Sequence, residues 1–186
     1  MTHKQILRLF TSMLLVGFII GVIGSITPSD STNPNQTVAG QITVCFTPNT
    51  VCQQQLVTRI HSAKKRILVQ AYSFTDPDVS TALINMHESG VDVRIILDKS
   101  NKGAPYTRRG QVVAAGIPTR IDSPPGIAHS KIILIDDELV ITGSYNFSRG
   151  AYKSNTENLL SIQSAPLLLE YEGNFNNRWK ISTPAS

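Results

Sequence analysis

His129 and Lys131 stand two residues apart at the head of the run Ile132-Ile133-Leu134-Ile135, and Asp136 closes it. The unbroken aliphatic stretch reads as a buried strand. Alternate residues of a strand leave it on the same face, so the imidazole and the ammonium emerge together. Gly143-Ser144-Tyr145-Asn146 follows shortly after. The same parity joins Ser144 to Asn146 if that segment is extended. One imidazole, one ammonium, one hydroxyl and one amide then converge on a single anion. Attack on a phosphate diester needs this set: a nucleophile, neutralisation of the phosphoryl oxygens and a proton for the leaving oxygen. Imidazole is available as a neutral nucleophile near physiological pH, and the charge-stabilising contacts gain strength where water is excluded.

The spacing carries more than the residue types. His-x-Lys, four residues, Asp136, six residues, Gly143-Ser144 and then x-Asn146 resembles the signature of the phospholipase D superfamily, with every slot filled. The resemblance runs over roughly residues 41 to 180. It is closest to the small bacterial members with one copy of the motif, the Nuc-type endonucleases and the short phospholipases D. Ala71-Tyr72-Ser73-Phe74-Thr75, Gly90 to Asp98 and Pro125-Gly126-Ile127-Ala128-His129 support it.

The resemblance implies a two-step route through a covalent phosphohistidine on His129. Lys131, Ser144 and Asn146 would bind the phosphoryl oxygens. Glu157, which matches a glutamate of the small relatives, would orient the imidazole. No metal and no cofactor would be required. Asp136 belongs to the motif and to the site set it implies. Its odd spacing from His129 puts it on the other strand face, however, and it reads as holding the adjacent turn rather than as directly catalytic.

One histidine cannot attack and protonate on opposite sides of the same phosphorus. Relatives with two motif copies take the second histidine from their other half, and no internal repeat is visible here. Of the four histidines, His3 lies near the N-terminus, and His61 and His87 lack a lysine two residues on. A homodimer that brings both copies of His129 into one site is therefore expected. Three functions follow: a nuclease, a phospholipase D with the same chemistry, or a non-catalytic phosphate-binding module that kept only the fold. The third expects a lost motif residue, and none is lost.

The elements that position these residues alternate along the chain. Ile42–Phe46 reads as a strand, Val51–Ala63 as a helix and Ile67–Ser73 as a near-continuous apolar strand. Asp76 caps a helix with Pro77 at its first position, ending at Gly90. Val91–Asp98 is a strand, Lys99–Pro105 a polar loop, Tyr106–Ala115 a helix stopped by Gly116, and Ile117–Ile121 a short strand. After the motif strand, Leu139–Thr142 completes a hairpin, Asn158–Ile162 is a further strand and Leu167–Trp179 a closing helix. This alternation predicts an α/β fold, a mixed sheet sandwiched by helices.

The chain has 186 residues and a formal charge of +4. Residues 1–26 look like an export signal or an N-terminal membrane anchor. Lys4 and Arg8 form a basic start, and no charge occurs from Leu9 to Ser29. Residues 27–40 are rich in Ser, Thr, Asn, Pro and Gln and read as a disordered linker. Residues 41–182 form the expected domain, large enough to bury a core without staples. Its small basic surplus suits a polyanion or an anionic membrane, or is simply an ordinary surface. Lys99, Lys102, Arg108 and Arg109 either line a substrate groove or are solvated charges. In an exported protein Cys45 and Cys52, flanking Pro48-Asn49, read as a local disulfide. The alternative is two free buried thiols.

Overall fold

A computed structural model of the chain describes residues 37–38 and 42–185. The expected leader, 1–26, lies outside them. The expected linker, 27–40, lies outside them except for Thr37 and Val38. Nine strands form one sheet among the described residues: β1 (Thr37–Val38), β2 (Ile42–Phe46), β3 (Arg66–Ala71), β4 (Asp92–Asp98), β5 (Thr119–Asp122), β6 (Lys131–Ile135), β7 (Leu139–Gly143), β8 (Asn158–Gln163) and β9 (Thr183–Pro184). Their order is β1-β2-β8-β7-β6-β3-β4-β5-β9. β3, β4 and β5 run parallel, and every other neighbouring pair is antiparallel. The expected mixed α/β sheet is what the chain forms.

The helices are α1 (Thr50–His61), α2 (Pro77–Glu88), α3 (Arg109–Ala114), α4 (Arg149–Lys153) and α5 (Ala165–Ile181), with a 3-10 turn at Lys99–Lys102. Asn49 caps α1, and Asp76 caps α2 by accepting the amides of Asp78 at 2.9 Å and Val79 at 3.3 Å. Strand parity divides the core in two. Ile67, Val69, Ile95, Ile133 and Ile141 face one side and pack with Leu56 of α1, Leu83 of α2 and Val112 of α3. Leu68, Ile96, Leu134 and Val140 face the other side and meet Leu168 and Phe175 of α5. The sheet is thus covered by four helices on one face and by α5 on the other.

Four boundaries differ from the sequence reading. Thr37 and Val38, expected in the linker, pair with Thr43 and Ile42 of β2. Thr183 and Pro184, beyond the expected end of the domain at 182, pair with β5. Both pairings join backbone to backbone, and two residues are too few to show a period. Proline is tolerated there because β9 is an edge strand. The helix expected from Tyr106 begins at Arg109 instead. Tyr106 has φ 64°, a left-handed conformation that no α-helix accepts. α4 was not expected, because its five residues carry no apolar period.

Cys45 and Cys52 are joined by a disulfide, with Cα atoms 5.6 Å apart. It ties the end of β2 to the first turn of α1.

Candidate active site

The site forms where the parallel strands β3 and β4 end and β6 begins. Lys131 is the first residue of β6, opposite Ala71, the last of β3. Its side chain enters the four-helix face and is only 6% exposed. Its ammonium donates to the His129 carbonyl at 2.8 Å and lies 5.2 Å from the Tyr72 ring centroid. Burial pushes the Lys131 pKa below the usual lysine value, and the negative charge of Glu157 pulls it part of the way back.

His129 precedes β6 and is exposed. Its ring meets Tyr72 edge-on, with centroids 4.5 Å apart and planes at 60°. Among the described residues the imidazole makes no hydrogen bond, so both nitrogens are free for chemistry. The backbone around it is fixed at two points. Tyr72 N donates to Ser130 O at 2.9 Å, and Ala128 N donates to the Asp98 carboxylate at 2.7 Å.

The second half of the motif is attached to the same bracket. Thr75 N and Asp76 N both donate to Phe147 O at 2.9 Å. Residues 72–76 therefore hold both motif segments, which explains why Ala71–Thr75 accompanies them in sequence. Tyr145 and Phe147 are fully buried, whereas Ser144 is exposed and Asn146 half-buried. This alternation is that of an extended segment, and it turns Ser144 and Asn146 outward. Ser144 Oγ accepts the Asn158 amide at 3.1 Å. Asn146 Oδ1 is buried without a partner. Gly143 has φ 141°, and a Cβ there would stand 2.3 Å from Asn158 O. Only glycine permits this approach of β7 to β8.

Glu157 sits just before β8. Its carboxylate accepts from Asn155 Nδ2 at 3.0 Å, and its amide donates to Thr47 Oγ1 at 2.9 Å. Its negative charge favours the Lys131 cation, and within the one chain its carboxylate makes no hydrogen bond to His129. Asp136, a motif residue whose odd spacing from His129 reads as turn-holding, is placed apart from the group. It follows the far end of β6, and five strand steps separate it from Lys131 by roughly 16 Å. Its carboxylate accepts the amides of Lys64 at 3.0 Å, Lys65 at 2.8 Å and Arg66 at 3.2 Å, tying the β6–β7 hairpin to the loop before β3. Asp136 itself has φ 54°, tolerable for aspartate in a turn.

The four candidate groove cations divide. Lys99 Nζ donates to Pro124 O at 3.0 Å and Arg109 Nη1 to Ala185 O at 2.6 Å, so both fasten backbone. Arg108 Nε reaches Thr75 O at 3.4 Å. Lys102 is exposed.

Sequence reasoning missed Asp98 as a positioning residue. It is 1% exposed and accepts from both Ser100 N, at 2.8 Å, and Ala128 N. Burial alone would raise its pKa, but the hydrogen bonds from Ser100 and Ala128 together with the Lys99 charge outweigh it, and the net shift is downward. Its stabilising contribution is therefore complete above the pKa of an unfolded aspartate and is lost as pH falls through the lower folded value. Asp98→Ala leaves two amides without their acceptor. A loss of about 3 kcal/mol is expected at neutral pH, read from the urea midpoint. The deficit relative to wild type shrinks under acid. The available signal was an aspartate at the C-terminal end of a parallel strand, where α/β sheets carry their sites.

A mixed α/β sheet that brings a free imidazole, a buried ammonium, a hydroxyl and an amide to the same end of two central strands carries the groups that phosphodiester cleavage needs. The family model described as "Cardiolipin synthase, PLD-like domain" matches residues 56–179. Phospholipase D of Rickettsia felis is 40% identical over 146 residues, which cover 78% of this chain and 73% of that protein. Phospholipase D of Rickettsia bellii is 34% identical, covering 95% of this chain and 96% of its own. The crystal structure of Nuc, a phospholipase D family member from Salmonella typhimurium, superposes with a TM-score of 0.73 at 32% identity, covering 77% of this chain and 96% of that one. The chain belongs to the phospholipase D superfamily, and it is a phosphoric diester hydrolase.

Proposed function

We propose that the protein is a phospholipase D that cleaves phospholipid through a phosphohistidine on His129, in a homodimer that shares one site. The observation that carries this reading is the exposed, hydrogen-bond-free His129 ring beside the buried Lys131 ammonium. A ring nitrogen of His129 attacks phosphorus, and the P–O bond to the headgroup alcohol breaks. His129 of the partner subunit gives its proton to the departing oxygen. Water then attacks phosphorus and gives one of its own protons to the partner subunit's His129 as the P–N bond breaks, releasing phosphatidic acid and the free imidazole. Lys131 neutralises the phosphoryl oxygens, while Asn146 and Ser144 hydrogen-bond them. Glu157 favours the charged form of Lys131. Divalent metal has no assigned step.

Lipid is favoured by the 40% identity to a protein named phospholipase D. Nucleic acid is the second reading, supported by the likeness to Nuc and by the net positive charge. Export belongs to the same proposal, since the uncharged stretch 9–29 suits a leader or anchor and a disulfide suits an oxidising compartment. The test incubates the protein with excess chelator, with phospholipid vesicles in one arm and plasmid DNA in the other. Headgroup release with intact plasmid is expected. Nicking without headgroup release selects the nuclease, and loss of all turnover in chelator defeats the metal-free route.

A further inference from the structure

The His129 ring has a second neighbour that the mechanism leaves unused. A cavity of about 250 Å³ opens beside it on the α5 side of the sheet, lined by Gln70, Asp122, Ser130, Asn174 and Arg178 together with His129. It is separate from Lys131, which enters the opposite face. Gln70 lies on β3 and is only 5% exposed. Its Nε2 donates to Asn174 Oδ1 at 3.4 Å, while its Oε1 is buried without a partner. A buried acceptor without a donor is uncommon and is relieved by a ligand hydroxyl. The amide's last torsion is soft enough to turn toward the cavity.

The charges of this cavity cancel. Arg178 donates to both oxygens of Asp122, with Nε at 2.7 Å from Oδ2. Beside His129, what remains on the walls are the Gln70 and Asn174 amides, the Ser130 hydroxyl and the uncharged Pro124, Ile127 and Ala128, a lining suited to a neutral ligand with hydrogen-bonding groups. A quaternary ammonium needs a free carboxylate or an open aromatic face. Asp122 is paired, and the Tyr72 ring beside His129 already has the Lys131 ammonium 5.2 Å from its centroid. A second cation would meet repulsion there.

We propose that this cavity is the subsite for an uncharged, hydroxyl-bearing alcohol esterified to the scissile phosphate, of the kind glycerol presents in a phospholipid headgroup. The inference rests on the lipid reading above. In the dimer, the cavity beside the proton-donating histidine holds the leaving alcohol. The enzyme therefore selects glycerol-type over choline-type headgroups, and Gln70 and Asn174 set that selectivity.

The experiment uses vesicles containing phosphatidylglycerol and phosphatidylcholine together and measures glycerol and choline released in one reaction. The ratio of the two rates does not depend on how much of a variant is folded. Wild type is expected to favour glycerol release by about tenfold or more, and Gln70→Leu to reduce the ratio by about the same factor through loss of its hydrogen bonds. Asn174→Leu, at an exposed position of α5, should act in the same direction without touching the core. Gln70→Glu should raise choline release relative to glycerol. Equal release by wild type, or a ratio that none of these variants moves, overturns the subsite while leaving the lipid reading intact. Plasmid nicking with neither headgroup released removes both.

Discussion

His129→Ala should lower turnover of any phosphodiester by about 10⁴-fold or more, because in the proposed mechanism the nucleophile and the proton donor are the same residue in two copies. The substitution removes an exposed ring that meets Tyr72 edge-on, so unfolding midpoints should move little. Two measurements go beyond activity. Acid-quenched wild type should carry a phosphoryl adduct that maps to His129 and disappears in the variant. Adduct on any other side chain would sink the mechanism. Co-expression with excess His129→Ala subunit should suppress wild-type activity well below its share of the chains, since a mixed dimer has one imidazole where two are needed. Activity in simple proportion to wild-type subunit would show that each protomer works alone.

Lys131→Met should lower kcat by about 10²- to 10³-fold with a smaller change in KM, since the ammonium matters most where phosphoryl charge develops. The methionine stem fills the space of the buried lysine, so the fold should hold. The pH dependence gives a sharper test. Burial lowers the Lys131 pKa, and Glu157 opposes the shift. The alkaline limb of kcat/KM should accordingly lie below the range of an ordinary lysine, and Glu157→Gln should move it lower still. A limb that stays in place in Glu157→Gln would show that Glu157 does not support the cation. The linkage has the reverse sign from a salt-bridged lysine. The folded state disfavours the charged form, so Lys131 costs stability below its folded pKa. That cost is relieved as pH rises from the folded toward the unfolded value.

The strand period made much of the site readable. An aliphatic run of four residues places His129 and Lys131 at the head of one strand, and the buried Tyr145 and Phe147 alternate with the outward Ser144 and Asn146. The mixed α/β sheet was readable for the same reason, through apolar strands alternating with helices that Asp76 and Gly90 delimit. The orientation of Lys131 was less so. It shares parity with His129, yet it is buried toward the four-helix face while the imidazole stays in solvent, because β6 starts only at Lys131.

Contacts between distant residues left no local trace. Asp98 meets Ala128 across 30 positions, and Gln70 meets Asn174 across 104. The edge pairings of β1 and β9 are backbone contacts in which side-chain pattern has no part.

The sequence by itself determined the chemistry: the kinds of reactive group, their spacing and the family to which the chain belongs. Those follow from periodicity and residue type, which are local properties. Tertiary structure decided which groups meet. It sent Asp136 past the far end of its strand, placed the Glu157 charge where it favours the Lys131 cation, made Asp98 the anchor of the loop that carries His129 and opened a neutral cavity beside the imidazole. Such outcomes depend on how the sheet orders its strands and which helix covers each face, and chain folding sets these over separations that no sequence period spans.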